Sequence, residues 1–137
     1  MARVVQAFVT VEPPTVTHND LVAYVRANGR PGIRKSDRLR EAEDALLPRL
    51  ASLAPSSGPL SGPLRVTVRW CFPAAATRHA QGEPHVCRPD MSNMLKTLED
   101  VMQRAGVIAD DSMVVEERLS KAWMDPAGIF VRAEELS

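Results

Sequence analysis

The chain has 137 residues, of which 45% are hydrophobic, and this fits one compact domain over residues 1–137. With 17 basic and 17 acidic residues its formal net charge is zero, so the total charge indicates no general attraction to nucleic acid or to membranes. No apolar run approaches the roughly 20 residues that cross a bilayer, and the two cysteines and the lack of a signal-peptide pattern favour a soluble, cytoplasmic protein.

The charges are unevenly distributed along the chain. Residues 1–40 contain seven basic and three acidic residues, a balance of +4, whereas residues 90–117 contain two basic and seven acidic residues, a balance of −5. The sequence therefore predicts a basic first third and a separate acidic cluster.

The first predicted strand covers Val4–Val11, which is rich in β-branched residues and precedes two prolines that cannot donate to a sheet ladder. Leu21–Arg26 is also β-prone, and the Asn28-Gly29 pair after it tolerates the positive φ of tight hairpin turns. A hairpin that returns through Ile33 is therefore expected.

A first helix is predicted to begin after Ser36, which can cap it, and to bend or end near Pro48. Its apolar residues recur at steps of three and four, at Leu39, Ala42, Leu46, Leu50 and Leu53. Residues 54–63, which are rich in serine, glycine and proline, are typical of a loop.

The clearest strand is Leu64–Phe72, in which apolar and polar residues alternate. Pro73–Pro89 is predicted to be irregular, and a second helix is predicted over about Met91–Arg104. Two more strands, Met113–Met124 and Gly128–Ala133, are separated by a turn-forming segment. This order predicts an α+β fold, a single domain with a mixed β-sheet packed with two main helices.

The second helix divides into an apolar and a polar face. Its apolar residues fill an arc of roughly 120°, the width of a stripe that packs on a core, and they are Met91, Met94, Leu95, Leu98, Val101, Met102 and Ala105. The opposite face presents Ser92, Lys96, Glu99 and Gln103 in one line, with Asp90 just before the first turn. A polar stripe therefore starts at Asp90.

These polar residues have an ordinary structural interpretation. Asp90 and Ser92 can cap the helix, and Lys96 can pair with Glu99 on the surface, while the adjacent acids 110 and 111 can start a turn. Their combination indicates more, because carboxylates bind Mg²⁺ or Mn²⁺ and such a cation can polarise a phosphate and activate water. A nearby lysine can stabilise the developing charge.

The run Arg88–Lys96, in one-letter code R-P-D-M-S-N-M-L-K, resembles the signature K/R-P-D-x-D-N-L-x-K of the RusA family of Holliday junction resolvases. The Asp110-Asp111 pair ahead of an apolar strand resembles the second signature of that family in kind and in spacing. The resemblance covers about Arg88–Val115. It implies a metal-dependent endodeoxyribonuclease that resolves four-way junctions by paired symmetric nicks in DNA recombination and repair, works as a homodimer and has a phage or prophage origin.

The resemblance also implies roles for individual residues. Asp90 and Asp111 correspond to metal-binding catalytic carboxylates, Lys96 to the catalytic lysine and Asn93 to a structural asparagine. The implied cofactor is Mg²⁺ or Mn²⁺.

One position departs from the family pattern. Ser92 stands where the family has a second aspartate, and its neutral side chain supplies no carboxylate to the metal, although its hydroxyl could hold a metal-bound water molecule. Asp110 or Glu99 could complete the coordination. The alternative to a working nuclease is a junction-binding protein with weakened catalysis, and a third, weaker possibility is a structural protein whose acidic cluster has no role.

The length of the second helix raises a question about the two principal carboxylates. At 1.5 Å per residue a helix over Met91–Arg104 is roughly 20 Å long, so residues at its two ends cannot bind one ion directly. Either residues 105–110 extend back and return Asp111 to Asp90, or two antiparallel helices place Asp90 of one subunit beside Asp111 of the other. The sequence leaves both arrangements open.

Six basic residues of the first third are predicted to contact DNA phosphates, namely Arg26, Arg30, Arg34, Lys35, Arg38 and Arg40. Because carboxylates repel phosphate until a cation neutralises them, such contacts would be needed to hold DNA around the acidic site. The alternative is that these residues are solvated surface charges.

Cys71, His79, His85 and Cys87 could be drawn as a zinc site, but their spacing matches no compact zinc module. We expect Cys71 in the sheet and the other three residues on a loop that leads to the acidic cluster.

Overall fold

The protein is described by a computed structural model that covers residues 2–17 and 19–137. Its strands are β1 (Val4–Val9), β2 (Leu21–Val25), β3 (Pro31–Lys35), β4 (Leu64–Phe72), β5 (Glu83–Pro84), β6 (Val114–Trp123) and β7 (Gly128–Glu135). Its helices are α1 (Asp37–Ala51) and α2 (Met91–Arg104), and short 3₁₀ turns cover Ala75–Thr77 and Asp111–Met113. Across the described residues, no helix is long and apolar enough to span a membrane.

Five of the strands form a mixed sheet in the order β1-β7-β4-β6-β5. β4 lies at its centre, antiparallel to β7 and parallel to β6. β6 and β7 follow each other in the chain but lie on opposite sides of β4. Because parallel neighbours need a crossover connection, the chain leaves the sheet between β4 and β6, and α2 lies in that crossover. The predicted α+β fold with a mixed sheet and two helices is confirmed.

One hydrophobic core joins the sheet to both helices. Alternate residues of β4 point into it because successive side chains of a strand face opposite sides. The central buried residues are Val66, Val68 and Trp70 of β4, Leu46 and Leu50 of α1, and Met94, Leu98, Val101 and Met102 of α2. Burial of this apolar stripe fixes the rotation of α2, so that Ser92, Lys96 and Gln103 of its polar stripe are exposed, whereas Glu99 of the same stripe is buried.

The first helix begins as predicted but extends further. The Ser36 hydroxyl accepts a hydrogen bond from the backbone N–H of Leu39 at 3.1 Å, which caps α1. Pro48 does not end the helix, which continues to Ala51. Pro48 removes one helical hydrogen bond, because it has no N–H to donate to the carbonyl four residues earlier, and the helix continues for three more residues.

Two other elements differ from the sequence prediction. β1 stops at Val9 instead of Val11, where the Val11 N–H bonds locally to the Val9 carbonyl at 3.0 Å. The segment predicted to be irregular contains β5, which pairs with the end of β6. A two-residue strand carries too little periodicity to be found from sequence.

The hairpin β2–β3 forms a separate two-stranded sheet. Its turn contains Gly29 with φ of +81°, the conformation that the Asn28-Gly29 pair predicted. The hairpin leads directly into Ser36, so its position relative to α1 is fixed at its base.

Candidate functional site

The polar stripe of α2 forms one wall of a groove whose other wall is β6. The groove has a volume of about 460 Å³ and is lined by Met91, Ser92, Leu95, Lys96 and Glu99 of α2, by Asp111, and by Glu117 and Leu119 of β6. Ser92, Lys96 and Glu117 are exposed, whereas Glu99 is buried. The structure thus brings Lys96, Ser92 and Asp111 of the predicted site into one groove.

Asp111 is tied to the C-terminal half of α2. It begins the 3₁₀ turn before β6, and its backbone N–H donates a hydrogen bond to Oε1 of Gln103 at 3.0 Å. Gln103 lies thirteen residues beyond Asp90, which corresponds to roughly 20 Å along a helix. The Asp111 backbone is therefore anchored at the last turn of α2, while the residue lines the same groove as Met91 and Ser92 of the first turn.

Asp110 serves the turn more than the groove. Its Oδ1 accepts a hydrogen bond from the backbone N–H of Ser112 at 2.8 Å, and this bond lowers the pKa of the Asp110 carboxyl group. The side chain is exposed and lies outside the set of residues that line the groove.

Asp90 lies at the N-terminus of α2 and lines a neighbouring groove with Thr15, Thr17, Asn19, Asp20, Arg88, Pro89 and Asn93. Its carboxylate accepts no capping hydrogen bond from any amide in the described part of the chain, so the capping role that the sequence allowed is not observed. Lys121 of β6 supports this segment, since its Nζ donates to the carbonyl oxygens of Cys87 at 2.5 Å and Pro89 at 2.9 Å.

Glu99 has the most strongly shifted pKa in the site. It is 8% exposed, and its Oε2 is buried with no hydrogen-bond partner among the described residues. Burial, together with the nearby charges of Glu117, Asp111 and Asp100, raises the pKa of its carboxyl group to about 7, although Lys96 acts to lower it. Acidic residues from both walls of the groove therefore act on Glu99, and Lys96 offsets them only in part.

The side chains as positioned do not form a finished metal site. Within residues 2–17 and 19–137, no three acidic, histidine or cysteine side chains lie close enough together to hold a metal ion. Glu117 is exposed and Asp111 only partly buried, so both carboxylates have room to turn toward a cation in the groove.

The six predicted phosphate contacts fall into two groups. Arg26, Arg30, Arg38 and Arg40 are exposed on the hairpin and on α1. Lys35 instead donates to both oxygens of the buried Glu43 at 3.0 and 2.9 Å, and Arg34 donates to Asp37 at 3.2 Å. The charge of Lys35 is thus largely used inside the protein, which sequence reasoning did not foresee.

Cys71 lies in the sheet, and His79 and His85 pack against aromatic rings. Cys71 lies buried in β4 as predicted. His79 stacks on Trp123 with ring centroids 3.9 Å apart, and His85 stacks on Phe72 at 4.2 Å. These four residues do not form a zinc cluster in the described part of the chain.

Two residues of the site were missed from the sequence. Glu117 enters the groove because β6 lies beside α2, and Lys121 reaches the segment before Asp90 for the same reason. The only local signal was the strand pattern of residues 113–124, which does not say which helix the strand faces.

The family model described as Endodeoxyribonuclease RusA matches residues 13–134. None of the curated proteins compared with the chain matches it. Among solved structures, a DegV lipid-binding protein from Thermotoga maritima is similar at a TM-score of 0.32 and 15% identity, over 98% of this chain and 43% of that one. This chain therefore spans less than half of the length of that protein, and at this TM-score the likeness carries no argument about fold or function.

Proposed function

Because the chain belongs to the RusA family of endodeoxyribonucleases, we propose that it hydrolyses phosphodiester bonds in branched DNA, with the four-way Holliday junction as its substrate. The observation that supports this most strongly is the groove in which Lys96 and Asp111, both carried over from the family signatures, lie together with the buried Glu99, whose Oε2 has no hydrogen-bond partner among the described residues. An acidic groove with one lysine suits metal-dependent phosphodiester hydrolysis better than a purely structural role.

The residues of the site fit Mg²⁺ or Mn²⁺. Carboxylate oxygens are the ligands that these ions prefer, and the unpartnered Oε2 of Glu99 leaves charge that a cation would compensate. Asp90 and Asp111 would be the catalytic carboxylates, and the Ser92 hydroxyl would contribute through a water molecule. Asp110 is less suited because its carboxylate already accepts from the backbone of the turn. When bound, the cation would polarise a phosphate and favour ionisation of a water molecule.

Lys96 would act on the phosphate itself. Its ammonium group is exposed on the groove wall one turn of α2 from Ser92. From there it can stabilise the negative charge that builds up on a phosphate oxygen during cleavage.

We also propose that the working unit is a homodimer. Asp90 precedes the first turn of α2, whereas the Asp111 backbone bonds to Gln103 in the last turn, and a two-fold axis between antiparallel helices would place Asp90 of one subunit beside Asp111 of the other. Two such composite sites would suit the paired symmetric nicks that resolve a four-way junction.

The exposed arginines Arg26, Arg30, Arg38 and Arg40 would bind the DNA backbone. Contacts to the phosphate backbone carry no sequence information, so the role of these arginines would be to position the junction. Arg34 and Lys35 would contribute less, because their charges are offset by Asp37 and Glu43.

Cleavage of a synthetic four-way junction in Mg²⁺ or Mn²⁺ tests the proposed activity. We expect paired nicks from the wild type and little or none from Asp90→Asn, Asp111→Asn or Lys96→Met, with Glu41→Gln on the outer face of α1 as a control that cleaves normally. An unaltered rate in Asp111→Asn would show that the nuclease activity does not use this groove.

Mixing two inactive variants tests the composite site. If Asp90 of one subunit works with Asp111 of the other, a mixed dimer of Asp90→Asn and Asp111→Asn contains one intact site and regains single nicks. If both residues work within one chain, every site in the mixed dimer is damaged and no cleavage returns.

The neutral Ser92 favours a second candidate, a junction-binding protein without cleavage. Ser92 is exposed in the groove and supplies no carboxylate where the family has one. Salt-sensitive binding of the junction by a wild type that does not nick it in either metal would identify that function.

A further inference from the structure

We propose that Glu99 and Glu117 complete, with Asp111, a divalent-cation site in the groove between α2 and β6, in a position that the family signatures do not include. This inference rests on the proposed function, since it assigns the ligands of the same nuclease site. In it, two carboxylates outside the family signatures compensate for the one that Ser92 does not supply.

The first support is the state of Glu99. More than nine-tenths of this residue is buried, and its Oε2 lies out of solvent with no hydrogen-bond partner in the described residues. Burying an ionised carboxylate without compensation is costly, and proteins meet that cost with a proton, a cationic side chain, a hydrogen bond or a bound metal.

The second support is a matched comparison within the same molecule. Glu43 of α1 is 2% exposed and is held by Lys35, whose Nζ lies 2.9 Å from Oε2, with Arg104 near its other oxygen at 4.0 Å. Glu99 is nearly as buried but has two further acids as neighbours across the groove. The protein therefore supplies a cationic partner for Glu43, whereas a bound cation would provide the counter-charge of Glu99.

The third support is the composition of the opposite wall. Asp111 and Glu117 enter the groove from the start of β6 and its preceding turn, while Lys96 is the single cation among the residues that line this groove. The three carboxylates provide oxygen ligands, which hard divalent cations prefer over nitrogen and sulfur.

The position of the site along α2 distinguishes it from a direct replacement of the missing aspartate. Glu99 lies seven residues beyond Ser92, about 10 Å along the helix, and so toward the end where Gln103 holds the backbone of Asp111. The cation would sit beside Asp111 rather than between Ser92 and Asp90.

Mn²⁺ binding by the full chain, measured by calorimetry and by the loss of the free-ion electron paramagnetic resonance signal, tests this assignment. We expect Glu99→Gln and Glu117→Gln each to weaken Mn²⁺ binding by about tenfold or more, Glu99→Asp to retain part of it, and Glu41→Gln to bind as the wild type does. Circular dichroism and the melting temperature without metal would confirm that each variant is folded.

The outcomes separate this inference from the proposed function. Wild-type Mn²⁺ affinity in folded Glu99→Gln and Glu117→Gln would overturn the site, even if the wild type nicks junctions through Asp90 and Asp111. Mn²⁺ binding that depends on Glu99 in a protein that never nicks DNA would support the cation site while removing the nuclease function.

Discussion

The two buried glutamates differ in whether the protein supplies a counter-charge for their carboxylate. Glu43, between α1 and the β2–β3 hairpin, accepts two hydrogen bonds from Lys35. Glu99, between α2 and β6, has an oxygen without a partner in the described structure and faces other acids. Since unpaired buried charge destabilises a fold, its presence on one side only indicates that the groove is adapted to a ligand rather than to stability.

The largest expected effect on stability is at the ion pair between Lys35 and Glu43. Lys35→Met should lower the free energy of unfolding by about 3 kcal/mol, because it leaves Glu43 buried with only the more distant Arg104. Urea denaturation measures the change. Lys96→Met, the matched substitution in the groove, should change stability by less than about 0.5 kcal/mol because Lys96 is exposed. Equal losses in the two variants would remove the contrast between the two sides.

The second expected effect is a gain in stability, caused by a substitution at Glu99. The folded pKa of Glu99, about 7, lies above the ordinary value of 4.5, so the folded state holds this proton more tightly than the unfolded state does. Stability should therefore fall as pH rises between those two values, and Glu99→Gln should be more stable than the wild type at pH 8 without metal, by about 1 to 2 kcal/mol.

Urea denaturation in chelator at pH 5 and pH 8 checks this sign. The advantage of Glu99→Gln over the wild type should be small at pH 5 and larger at pH 8. A variant that is less stable than the wild type at pH 8 would mean that the Glu99 carboxylate is well compensated in the metal-free protein.

A smaller effect is expected at the link between the turn and α2. Gln103→Ala removes the hydrogen bond from the Asp111 backbone and should cost about 0.5 to 1 kcal/mol of stability. It should also weaken Mn²⁺ binding, since Asp111 loses the contact that positions it. Unchanged Mn²⁺ affinity in calorimetry would show that the turn holds Asp111 without help from the helix.

The smallest effect on stability is expected at the exposed arginines. Arg30→Ala should leave the unfolding midpoint unchanged but weaken binding of the four-way junction and reduce its salt dependence by about one phosphate contact. Arg49→Ala, on α1, serves as the matched control. Identical salt slopes for the two variants would place Arg30 outside the DNA interface.

The local periodicities of the sequence predicted much of the fold. The apolar stripe of α2 predicted its bounds as Met91 and Arg104, and the alternation in Leu64–Phe72 predicted β4, because both patterns depend on which residues one element buries. Lys96 and Asp111, which are proposed to act in catalysis, were also predicted from the spacing of the family signatures.

What the sequence could not provide were the contacts between distant segments. That β6 lies parallel to β4 and away from β7 depends on strand pairing, which no local pattern specifies. The same pairing brings Glu117 to Glu99, and the fold of the hairpin onto α1 brings Lys35 to Glu43. The contrast between the two glutamates is therefore a tertiary property.

The most direct test of the account is the Mn²⁺ dependence of junction nicking by the wild type and Glu99→Gln. If the unpaired carboxylate holds the catalytic cation, the Mn²⁺ concentration that gives half-maximal nicking should rise by about tenfold in the variant, and saturating Mn²⁺ should restore much of the rate. Half-maximal nicking at the same Mn²⁺ concentration in both proteins would contradict the account.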